Sequence, residues 1–190
     1  RDVAPSRGLG DVYKRQVSNS TTIYLEIAGL KLQIYDPKQL LLEQSALTHF
    51  DSFGFEPDSF PNAKADQRFE LLTIPPASHA YGEVLLQNSE LSVFEHTNHY
   101  IIVFHPMKNL YEAHMTKDGS YVRIYCKPEH SDTAAENLFH AIRLFFLFIA
   151  QENGLFAVHS ASLLYHQKAW LFSGPVSYTH LRAHETELHL

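Results

Sequence analysis

Cysteine is almost missing from this sequence: Cys126 stands alone. A single thiol excludes an intrachain disulfide framework and fits a reducing, cytoplasmic compartment. Long apolar runs are equally scarce. The longest, AIRLFFLFIA, is too short to cross a bilayer and carries Arg143, so no membrane span is expected. Positive charge is in deficit, with 15 Lys/Arg against 21 Asp/Glu. Nucleic-acid binding rests on neutralising phosphates, so this balance argues against it.

What is present includes two odd tails. The apolar stretch AWLFSGP leads directly into VSYTHLRAHET, which holds His180 and His184 and none of the glycines of a phosphate loop. Codons permitted for Ser6 to Gln16 can be chosen so that the complementary strand, read in a shifted frame, encodes Val176 to Glu185 and opens a Thr codon at Thr186. Unrelated protein segments do not encode opposite strands of one DNA. Both tails look like transposon-end tags of sequencing libraries read through as coding. Residues 1–16 and 176–190 are therefore expected to be non-native. That removes His180, His184 and His189 as metal ligands, and Lys14 and Arg15 as a basic patch. The tails hold five of the basic and four of the acidic residues, which leaves Val17 to Pro175 a net charge of −7. This portion is expected to be a soluble domain truncated at both ends.

Alternating apolar residues in TTIYLEIA and KLQIYD, joined at Gly29-Leu30, predict a β-hairpin. Pro37 opens a helical pattern with Leu40, Leu41, Leu47 and Phe50 on one face. The segment DSFGFEPDSFPNAKADQ reads as a loop. Strand-like runs follow in RFELLTI, GEVLLQN, LSVFEHT, HYIIVFH, NLYEAHMT and SYVRIYC, the last two joined across the hairpin signal Asp118-Gly119. These runs predict an antiparallel β-meander. From Ser131 the pattern turns helical, with Thr133 and Glu136 at capping-box spacing and Gly154 at the C-cap. Its apolar stripe is Leu138, Ala141, Ile142, Phe145, Phe146 and Ile149. LFAVHSASLLY and KAWLFSG then read as two strands joined at His166-Gln167. The layout is α/β in an α+β arrangement. Residues 17–130 form a β-rich N-terminal region, and 131–175 begin a second domain.

The stretch GLFAVHSASLLYHQKAWLFSGP resembles the strand-turn-strand that leads into the P-loop of the HPr kinase/phosphorylase family and its bacterial relatives. His159-Ser160-Ala161-Ser162 matches the first strand with its His and small residues. Ala169 to Phe172 matches the second, and Ser173, Gly174 and Pro175 match the mouth of the loop. The resemblance implies a P-loop serine kinase using ATP and Mg²⁺ to phosphorylate a Ser-like hydroxyl on a protein or peptide acceptor. It implies an auxiliary catalytic role for His159, which would tune proton transfer from that hydroxyl. It also implies that Ser173, Gly174 and Pro175 begin the nucleotide cradle. The family's loop glycines, lysine and Mg²⁺-binding hydroxyl are absent here, so the fragment as it stands is expected to be inactive and to bind neither group.

Other readings remain. Ser160 and Ser162 suit close packing, and the sequence lacks the nucleophile elbow of a Ser-His-Asp hydrolase. His96 and His99 flank a turn, with His105 and His114 on neighbouring strands, but their spacing implies no convergence, and no metal centre is expected. The aromatic residues Tyr100, Phe104, Tyr111, Tyr121 and Tyr125 suit half-buried strands. The alternative to a kinase is a non-catalytic β-rich module binding a peptide or protein on a sheet edge.

Overall fold

The computed structural model describes residues 22–41, 65–158, 161–166 and 168–172. Both tail segments, the second half of the pattern opened by Pro37, and nearly all of the 51–67 loop lie outside them. The chain divides after Ile149 into two compact units.

The first unit is built on an eight-stranded sheet. Its strands are β1 (Thr22–Ile27), β2 (Leu30–Tyr35), β3 (Gln67–Leu72), β4 (Glu83–Gln87), β5 (Leu91–Glu95), β6 (His99–Phe104), β7 (Leu110–Thr116) and β8 (Tyr121–Cys126). The spatial order is β1-β2-β3-β8-β7-β6-β5-β4. The β1–β2 hairpin and the β4-to-β8 meander are antiparallel, as their alternation predicts. The sheet as a whole is mixed, which corrects the antiparallel expectation. β3 pairs in parallel with β2 on one side and β8 on the other. Parallel neighbours need long crossovers rather than tight turns. The connection from Asp36 to Asp66 is one. The whole β4-to-β7 meander, inserted between β3 and β8, is the other.

That insertion has a geometric consequence. Five inter-strand steps of ~4.8 Å separate β3 from β4, a span of about 24 Å. Residues 73–82, which join them, can reach roughly 33 Å when extended. The segment therefore has to cross a face of the sheet. The other face is taken by the helix α1 (Asp132–Glu152). Alternation puts Leu32, Ile34, Phe69, Leu71, Ile102, Phe104, Met115, Val122 and Ile124 on that helix-bearing face, all buried. From α1, the buried stripe Ala134, Leu138, Ala141, Ile142, Phe145 and Ile149 meets them. Phe145 stands edge-on to Phe104, and Phe148 edge-on to Tyr100. Phe146, expected in the stripe, is only half-buried. By length and composition alone α1 could cross a membrane, but its apolar stripe lies on the sheet.

Polar groups tie helix to sheet. The Gln67 amide donates to the carbonyls of Gly119 and Phe145, and Asn109 donates to the carbonyl of Ala134. The cap is Ser131, whose Oγ accepts from Ala134 N–H. This corrects the expectation of Thr133, two residues further in. At the other end Gly154, at φ +75°, closes a Schellman turn in which Leu155 N–H reaches the Ala150 carbonyl. In the β7–β8 turn, Gly119 has φ +72°, and a Cβ there would lie 2.7 Å from the Phe148 ring. Asp36 is fully buried after β2, its carboxylate accepting from Leu40 and Leu41 N–H.

The second unit is described at its hairpin, β9 (Ala161–Tyr165) and β10 (Lys168–Phe172), in antiparallel register with Lys168 opposite Tyr165. His166 adopts φ +48°, as a two-residue hairpin turn demands. Trp170 and Leu171 point to opposite faces, 52% and 61% exposed. Phe156, upstream of the hairpin, is also exposed.

Candidate functional site

Two places carry the chemistry. The first is the sequence motif around the hairpin. His159, Ser173, Gly174 and Pro175 lie outside the described residues. The strands between them are described: β9 begins two residues after His159, and β10 ends immediately before Ser173. The hairpin expected from the sequence is present, its strands paired with Lys168 opposite Tyr165.

The second place is a histidine cluster on the face of the sheet opposite α1, where residues 73–82 cross it. Gly82 fixes this crossing. A Cβ there would fall 1.7 Å from the Glu95 carbonyl oxygen, so only glycine lets the segment close onto β5. Tyr81 then stacks on Phe94 with a centroid separation of 4.6 Å. Its hydroxyl donates to Glu112 Oε2 at 3.0 Å.

Glu112 reaches this face because of a β-bulge. Leu110 pairs with Cys126 and Glu112 with Tyr125, so Tyr111 is the extra residue. In an unbroken strand Leu110 and Glu112 would share a face; the bulge turns Glu112 away from the helix. From there on normal alternation places His114 beside it. Glu112 is almost wholly buried, with 3% of its side chain exposed. His114 Nε2 lies 2.6 Å from Glu112 Oε1, and His79 Nε2 lies 3.2 Å from the same oxygen. The three ligand atoms fall within 4.8 Å of one another. His79 Nδ1 donates to the Ala77 carbonyl at 2.7 Å.

Further imidazoles continue the cluster. His99 stacks on His114 at 5.0 Å, and His96 lies 4.7 Å from His99. Tyr125 closes against His114 at 5.0 Å. Burial, followed by the neighbouring His114, His96 and His79, pulls the His99 pKa below its ordinary value. Burial and the bond to Glu112 raise that of Tyr81.

The structure thus brings together His96, His99 and His114, which spacing alone did not. His105 stays apart, paired with Ser92 Oγ at 3.0 Å. Sequence reasoning missed His79, Tyr81 and Glu112. The Glu-x-His spacing of Glu112 and His114 was a usable signal, since strand residues two apart share a face. His79 carried none, because its position depends on the strand order. No family model, curated protein or solved structure matches the chain.

Proposed function

We propose that the intact protein is an ATP-dependent phosphotransferase of the HPr kinase-like class, acting on a Ser-like hydroxyl of a protein or peptide in the cytoplasm. The observation that carries this reading is the character of β10. Its adjacent residues Trp170 and Leu171 are apolar and exposed on opposite faces. Strands apolar on both sides belong inside α/β sheets with both faces covered, and phosphate loops follow such strands. Here Ser173, Gly174 and Pro175 follow, as the family's loop mouth does.

The chain's own residues would supply the start of the cradle and the auxiliary base. Ser173 and Gly174 would offer backbone N–H groups to phosphate, and His159 would help move the acceptor's proton. Bound ATP and Mg²⁺ would supply the phosphoryl group and its charge neutralisation. The residues after Pro175 in this sequence include no Gly-Lys-Ser/Thr, so it holds no complete site for either group and no further step is assigned to it.

The test is the gene itself. Its reading frame is expected to continue past Gly174-Pro175 as Ser-Gly-x-Gly-Lys-Ser/Thr, and that chain to bind ATP. Any other continuation overturns the proposal.

One observation favours the second reading, a peptide-binding module. β4 is an edge strand exposed along its whole length, with Val84, Leu85 and Leu86 in solvent. Such an edge can accept an added strand. A chain with the completed loop that binds ATP but transfers phosphate to no acceptor would favour this module.

A further inference from the structure

We propose that His79, Glu112 and His114 form a binding site for a divalent transition-metal ion of the zinc class, held by two imidazole nitrogens and one carboxylate oxygen. The site lies wholly within the first unit and is independent of any nucleotide-bound Mg²⁺.

The argument starts from hydrogen-bond accounting. A carbonyl oxygen can only accept, so the 2.7 Å contact to Ala77 puts the proton of His79 on Nδ1. In the neutral ring, Nε2 is then a lone pair. That lone pair is buried and has no hydrogen-bond partner. It faces the carboxylate oxygen Glu112 Oε1 at 3.2 Å. Two electron-rich atoms confronting each other in a buried place require a cation between them, either a proton or a metal.

The surroundings favour the metal. Ligating histidines characteristically donate their other ring N–H to a backbone carbonyl, which is what His79 does with Ala77. Ligating carboxylates are held by an outer hydrogen bond, which Tyr81 supplies to Glu112 Oε2. Two of the three ligands therefore already have the supports of a metal site. The third, His114, donates from Nε2 to the same carboxylate oxygen at 2.6 Å, and a bound metal would displace that proton.

Spacing agrees. Ligands ~2.0–2.2 Å from one tetrahedral ion lie roughly 3.4 Å from each other. The present atoms lie within 4.8 Å, so side-chain adjustment brings all three onto one centre. Imidazole with carboxylate suits zinc and its neighbours better than calcium or magnesium, which prefer oxygen alone. Three protein ligands leave one position for water or another donor.

The experiment titrates the full chain with Zn²⁺ near neutral pH by calorimetry and records the visible spectrum after adding Co²⁺. His180, His184 and His189 are replaced by alanine in every sample so that tail histidines cannot contribute. One Zn²⁺ per chain is expected, together with a ligand-field band of tetrahedral Co²⁺ and a rise in Tm with Zn²⁺. His79→Ala, in a connecting segment, should weaken binding at least ~10-fold and remove the Tm rise. Glu112→Gln should do the same, and His105→Ala should change neither. Absence of the Co²⁺ band from the otherwise unaltered chain overturns the site, and this result does not depend on whether a variant folds. Equal Zn²⁺ affinity in the parent and His79→Ala overturns it too.

Discussion

β8 and β10 are two short apolar strands with opposite fates. In β8, Val122, Ile124 and Cys126 are fully buried, while Arg123 between them is exposed. In β10, Trp170 and Leu171 are neighbours, apolar, and both in water. Fully burying a side chain of this kind contributes about 1.5–3 kcal/mol, so the hairpin forgoes several kcal/mol that β8 collects. The first strand is written for a sheet covered on one face by a helix. The second carries apolar side chains on both of its faces. Among the described residues β10 pairs with β9 alone, and a two-stranded hairpin by itself is marginal in water.

Two natural reporters sharpen this contrast, because the chain has one cysteine and one tryptophan. Cys126 is buried, and burial first, with the Asp36 charge behind it, pushes its pKa up to about 12 from an ordinary 9.0. The thiolate is the nucleophile, so roughly a thousandfold less of it exists in the folded chain. A thiol reagent near neutral pH is expected to label Cys126 only on unfolding, while acrylamide quenches the half-exposed Trp170 already in the native state. Rapid labelling of the native protein would mean the β8 face is not covered as described. Protection of Trp170 would mean that β10 already has partners.

Much of this was legible in the sequence and some was not, for identifiable reasons. The six strands from β3 to β8, the Asp118-Gly119 turn, the helix and the β9–β10 hairpin all follow from period-two or helical spacing and local turn chemistry. The parallel pairing of β3 was hidden because it depends on which distant strand lies alongside, which alternation does not encode. The histidine cluster was hidden for the same reason and one more. The bulge at Tyr111 reverses the facing of Glu112 relative to Leu110. Alternation counted forward from the buried Leu110 sends Glu112 to the helix side, and only counting back from His114 places it correctly. The motif residues His159, Ser173, Gly174 and Pro175 rest on resemblance, not on described geometry.

Paired substitutions test the contrast energetically. Phe145 is buried in the helix stripe against Phe104. Phe145→Ala removes a ring and leaves a cavity, and should cost about 3–5 kcal/mol in urea unfolding. Leu171→Ser, on the exposed hairpin, should stay within ~0.5 kcal/mol, as surface substitutions do. Comparable losses from both would erase the distinction between the strands.

The smallest effect concerns the β7–β8 turn that holds the covered sheet in register. Asp118 Oδ1 accepts from the Thr116 hydroxyl at 2.6 Å, and from the Ser120 amide and hydroxyl at 3.1 and 2.8 Å. Those donors, the Thr116 hydroxyl foremost, hold its pKa below the ordinary 3.8. The native state therefore binds the charged form better than the unfolded chain does. Its contribution is full above pH 3.8 and disappears as pH falls through the lowered native value. Because the carboxylate is exposed, solvent competes for these bonds, and Asp118→Ala should cost only about 0.5–1 kcal/mol near neutral pH. Unfolding midpoints of parent and variant should converge as the pH drops below that range. A gap that persists at low pH would assign the turn's stability to Gly119, whose φ of +72° no other residue adopts without strain, rather than to the charge beside it.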